Sequence, residues 1–100
     1  MSLNDKESSA TRSELRANFL AAGMSTDQAA RDLGTTPEHL ADVLDLRVAR
    51  IEEPWVLRNY LTGTIREHGG EPVPFTKLVG NPANYWFLDV EFIDAGQLMP

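Results

Sequence analysis

The chain has 100 residues, 42% of them hydrophobic, and no cysteine, which fits one packed domain and excludes a disulfide scaffold, a thiolate nucleophile and a cysteine zinc site. Nine Lys and Arg against 15 Asp and Glu leave a net charge of −6, a sign that opposes any polyanionic partner unless the basic residues cluster. No apolar run approaches the roughly 18 residues that span a bilayer, and the polar start MSLNDKESSATR lacks a signal-peptide core, so the expected location is the cytoplasm.

Residues 1–8 are small and polar and are expected to be disordered. Thr11 and Glu14 then have the spacing of a capping box, and Leu15, Phe19 and Ala22 recur at helical intervals, which predicts a first helix closed by Gly23. Ser25 with Gln28 repeats the capping pattern and opens a short second helix with Ala29, Ala30 and Leu33 on its apolar side; Gly34 ends it. Thr36-Pro37-Glu38 supplies a capping hydroxyl, a ring with preset φ and an acid that suits the helix dipole, so a third helix runs to about Leu46. Its inner stripe is Leu40, Val43 and Leu44, which turns Glu38, Ala41, Asp42 and Asp45 outward.

Arg47 to Glu53 reads as a charged connection, and a fourth helix spans 54–68 with Leu57, Tyr60, Leu61, Thr64 and Ile65 inward and Arg58, Thr62 and Arg66 on the opposite side. Gly63 lowers helix stability by about 1 kcal/mol relative to alanine, which suggests a close approach by another backbone. Pro72 and Pro74 force an extended connector. Asn81-Pro82 reads as the cap of a short helix within an aromatic C-terminal segment over 81–100, in which 87–94 suits either helix or strand and leans toward a helix turning extended. The expected fold is a single all-α domain: a tri-helical unit whose helix-turn-helix covers 24–46, a fourth long helix, and a short C-terminal helix or extended tail.

Thr26 to Asp45 carries the most specific spacing. Ala30 is small where two helices cross, Gly34 permits a positive φ at the turn, and Leu40 and Val43 point the next helix inward. In such units the second helix enters the DNA major groove. The residues expected to face it are Thr36, Glu38, His39, Ala41 and Asp42, with Arg31, Arg47 and Arg50 as phosphate contacts. Charge opposes this: between Thr36 and Leu46 there are three acids and no Lys or Arg, whereas DNA affinity comes largely from neutralised phosphates.

Five blocks extend along nearly the whole chain: Thr11-Arg12-x-Glu14-Leu15 with Asn18-Phe19; Asp32-Leu33 with Thr36-Pro37-Glu38; Glu53-Pro54-Trp55-x-Leu57-Arg58-Asn59-Tyr60-Leu61; Pro72-Val73-Pro74-Phe75-Thr76-x-Leu78; and Tyr85-Trp86-Phe87-Leu88-Asp89 with Ile93-Asp94-x-Gly96. With these blocks the sequence resembles a family of small bacterial proteins, domain of unknown function 2316. The resemblance implies a mostly helical fold built round a helix-turn-helix and a bacterial source, and it implies no reaction, ligand or catalytic residue.

Other patterns are weaker. His39 and Asp42 share a helix at a spacing that suits a metal, but two ligands do not make a site and His68 ends a different helix. No triad spacing is present, and Gly69-Gly70 follows a helix instead of opening one, so no phosphate cradle forms there. Neither an enzyme, a cofactor, a metal, a membrane nor a small-molecule ligand is expected. Trp55 reads as a core plug, and the aromatics crowded into the second half read as a second core layer or a homodimer interface. The expected function is a DNA-binding helix-turn-helix transcriptional regulator, acting as a homodimer on double-stranded DNA. The alternative is a helix-turn-helix module for protein contact, with its acidic third helix set against a basic surface.

Overall fold

In the computed structural model, which describes residues 5–48, 50–78, 85 and 88–98, the backbone forms five α-helices and, among those residues, no strand. They are α1 (Asp5–Ala22), α2 (Thr26–Asp32), α3 (Pro37–Leu44), α4 (Glu52–Glu67) and α5 (Val90–Ala95). The all-α expectation is met. α4 lies at the centre, packed against α1, α3 and α5, while α2 packs on α3. Leu15, Leu33, Leu40, Leu57, Leu61, Ile93 and Leu98 are fully buried between them, each such side chain stabilising the fold by about 1.5–3 kcal/mol. Trp55 is buried as expected, with its ring centroid 5.5 Å from that of Tyr85. Tyr60, Phe75, Tyr85 and Phe92 pack partly buried on the same core, so these described rings form a second core layer.

Three boundaries differ from the sequence reading. α1 already runs through residues 5–8, expected to be disordered, and Thr11 lies buried in its interior, donating from Oγ1 to Glu7 O at 2.9 Å. The capping-box spacing of Thr11 and Glu14 misleads because a mid-helix threonine satisfies itself on the preceding turn. Glu14 instead reaches the connector, accepting from Thr76 N (3.0 Å) and Thr76 Oγ1 (2.9 Å). α3 stops at Leu44, two residues early, because Leu46 adopts a left-handed φ of 59°. Arg47 N donates to Asp42 O and Leu46 N to Val43 O, a helix stop normally built on glycine. α4 begins at Glu52 rather than Pro54, and both first-turn glutamates are buried.

Gly63 is a fourth correction. A Cβ built on it meets nothing within 4 Å, so no neighbouring backbone approaches there. The extended connector is held by Asn18, fully buried on α1, whose side chain donates to Val73 O (3.0 Å) and accepts from Val73 N (2.8 Å). The short helix expected at Asn81-Pro82 lies outside the described residues. Of 87–94, α5 accounts for the helical part, with Asp89 accepting from Phe92 N at 3.1 Å as its cap and Gly96 closing it at φ 68°.

Candidate functional site

The segment with the most specific sequence spacing folds as two short helices joined by a tight turn. Ser25 caps α2 by accepting from Gln28 N at 3.1 Å, and Thr36 caps α3 by accepting from His39 N at 3.1 Å with Pro37 in the first turn. Between them Gly34, at φ 70°, donates to Arg31 O (3.2 Å) and Thr35 N donates to Ala30 O (2.9 Å). This paired closure needs a left-handed residue, which glycine supplies without a Cβ clash. Ala30, Leu40 and Val43 are buried at the joint, as their spacing predicts.

A second feature of the turn was not visible in the sequence. The chain after α5 returns to it: Leu98 N donates to Leu33 O at 2.7 Å and Gln97 Nε2 donates to Asp32 O at 3.0 Å. These are carbonyls that the end of α2 leaves without an intrahelical partner. Leu98 is wholly buried, and Gln97 Oε1 occupies the space that a side chain on Gly34 would need. Gly34 therefore answers two demands, a positive φ and room for the returning strap.

The family described as uncharacterized protein conserved in bacteria, DUF2316, matches residues 1–89. The chain belongs to this family. No curated protein and no solved structure matches it significantly. The DUF2316 match takes in α1 to α4 and ends at Asp89, the cap of α5, so the strap residues lie beyond the matched stretch.

On the α2-turn-α3 segment, the side chains expected to face DNA are only partly gathered. Thr36 and Glu38 are exposed, and Ala41 and Asp42 half-exposed, along one side of α3. His39 turns away from them: its Nε2 meets Oε1 of the buried Glu53 on α4. An imidazole so engaged ties α3 to α4 and is not presented to a groove. Of the three arginines expected on phosphate, Arg31 is exposed on α2. Arg47 is paired with Asp42 (3.2 Å) and Asp45 (3.4 Å). Arg50 belongs to another cluster altogether, pairing with Asp89 (2.9 Å) and Glu52 (3.4 Å) while its guanidinium sits 3.9 Å over the Phe92 ring. Glu52 also accepts from Asp89 N at 2.9 Å, so this cluster fastens the start of α5 to α4.

Asp45 is the electrostatic focus at the far end of α3. Arg16 of α1 donates to it, and this hydrogen bond, joined by the fields of Arg16, Arg47 and Arg12, holds its carboxyl below the usual aspartate range although burial acts in the opposite direction. No local pattern in the sequence signals that Arg16 on α1 meets Asp45, 29 positions away. Among the described residues no three His, Asp or Glu side chains gather at metal-binding range, and no helix is long and apolar enough to cross a membrane.

Proposed function

We propose that the α2-turn-α3 unit is a docking module that meets a protein partner with a basic surface, acting in the bacterial cytoplasm by binding and not by catalysis. The observation that carries this reading is the placement of charge. The end of α3 that enters a groove in a DNA-reading unit presents Thr36 and Glu38 and no cation, while Arg16 and Arg47 are already engaged by Asp42 and Asp45. From 26 to 47 the acids Asp27, Asp32, Glu38, Asp42 and Asp45 outnumber the bases Arg31 and Arg47. A field of that sign repels phosphates and steers a basic protein surface into contact.

A second reading, a homodimeric DNA-binding transcriptional regulator, is favoured by one observation. Arg12, Arg16 and Arg47 all act on Asp45, so the C-terminal end of α3 gathers three cations round Asp42 and Asp45. Exposed ion pairs are each worth about 1 kcal/mol or less, so such arginines exchange partners readily. Fluorescence anisotropy with labelled genomic fragments over a range of salt concentrations separates the two. The docking reading expects no retention by the wild type at low salt, and non-specific binding by an Asp42→Lys/Asp45→Lys variant with a log–log salt slope of about −0.9 per phosphate neutralised. Tight retention of a defined fragment by the wild type overturns it in favour of the regulator.

A further inference from the structure

Behind the docking unit a cleft of about 430 Å³ opens between the end of α2 and the C-terminal half of α4, with Met24, Asp32, Tyr60, Gly63, Glu67 and His68 in its lining. Its size falls within the roughly 300–1,000 Å³ usual for small-ligand sites. Gly63 adds no side chain to its wall. It occupies a helix interior at a negative φ, where glycine weakens the helix, and a Cβ there meets nothing within 4 Å.

The lining carries two carboxylates, Asp32 and Glu67, and one imidazole, His68. The Tyr60 hydroxyl donates to Asp32 Oδ2 at 2.7 Å, and Gln28 Nε2 donates to Asp32 Oδ1 at 2.7 Å. Burial first, then the bond to Asp32, pushes the Tyr60 phenol well above its ordinary range, so it stays a neutral donor. Both donors to Asp32 are uncharged, and among the described residues none of the ion pairs includes Asp32 or Glu67. No Lys or Arg lines the cleft. Asp32 and Glu67 are the last residues of α2 and α4, so the cleft lies at two helix C-termini, whose outward carbonyls also favour positive charge. The Met24 thioether chain and the Tyr60 ring supply an apolar wall.

We infer that this cleft binds a small organic cation, a primary ammonium or guanidinium on a short alkyl stem, with its head facing the carboxylates of Asp32 and Glu67 and its stem along Met24 and Tyr60. The inference does not depend on what α3 docks to. The test is amide chemical-shift titration of the isotopically labelled full chain with n-butylammonium and n-butylguanidinium, with n-butanol and butyrate as controls. The expected result is saturable shifts at the lining residues for the cations alone. Asp32→Asn, which keeps an acceptor for Tyr60, weakens binding about tenfold, the effect of removing one charge near a protein surface. Gly63→Leu abolishes it while the circular dichroism spectrum stays helical. Equal shifts with n-butanol, no saturation with either cation, or unchanged affinity in Asp32→Asn overturns the assignment, and the last of these stands even where Gly63→Leu fails to fold. An Nα-acetyl-lysine amide arm distinguishes sources: binding of that probe without n-butylammonium overturns a free cation in favour of a lysine presented by another chain.

Discussion

Replacing Gly34 by alanine tests whether the turn and the C-terminal strap are one structure. At φ 70° an alanine is destabilised by about 1–2 kcal/mol. Its Cβ also collides with Gln97 Oε1, and because that atom ends a flexible, exposed side chain, relief consists of swinging Gln97 away. The swing forfeits the bond from Gln97 Nε2 to Asp32 O, worth about 0.5–1 kcal/mol in an exposed setting. Gly34→Ala alone should therefore lose about 2 kcal/mol. Gln97→Ala alone loses about 0.5–1 kcal/mol, and the double variant loses little more than Gly34→Ala, since the bond is already gone. Urea unfolding of the four proteins, with m unchanged across the set, measures the coupling. Additivity within about 0.3 kcal/mol would refute the idea that the strap occupies the space glycine leaves.

Further outcomes follow from the same geometry. Gly63→Ala should stabilise the protein by about 1 kcal/mol in urea unfolding, because the methyl group meets open space in a helix interior; a loss of stability would contradict the open cleft. Leu98→Ala, at a fully buried position, should lose about 2–5 kcal/mol, against a few tenths for Leu20→Ala at a side chain 80% exposed. At Leu46, glycine should be more stable than alanine by about 1 kcal/mol, since both lose the packing and only glycine relieves the left-handed strain. Asp45, with its folded-state pKa lowered mainly by the Arg16 hydrogen bond, contributes stability that is present above its unfolded-state pKa and is lost as pH falls through the folded one. Carboxyl-carbon titration should show Asp45 moving back toward the ordinary aspartate range in Arg16→Ala, and an unmoved midpoint would remove Arg16 as the cause.

Much of the fold is legible in the sequence because local signals agree with tertiary demands. Ser25, Thr36 and Pro37 announce two helix starts that the structure keeps, and Ala30, Leu40 and Val43 fall into the core at the joint. What escapes are bonds between residues far apart in the chain. Asn18 meets Val73 and Glu14 meets Thr76 across 55 and 62 positions, and Gln97 meets Asp32 across 65; no periodicity encodes such pairs. The end of α3 escapes for another reason, since a leucine in a left-handed conformation carries none of the composition signal that glycine gives. His39 illustrates the limit at the site: helical spacing puts it near the exposed side, yet Glu53, buried in the first turn of α4, turns its ring inward.

What lies against the exposed side of α3 decides between a protein partner and DNA. A photo-crosslinking amino acid placed at Glu38, with the protein expressed in its bacterial host and irradiated, reads that contact without prior choice of a partner. The docking reading predicts a discrete protein adduct, diminished when Asp42 and Asp45 are both changed to lysine. Adducts to DNA, with no protein adduct, would contradict it.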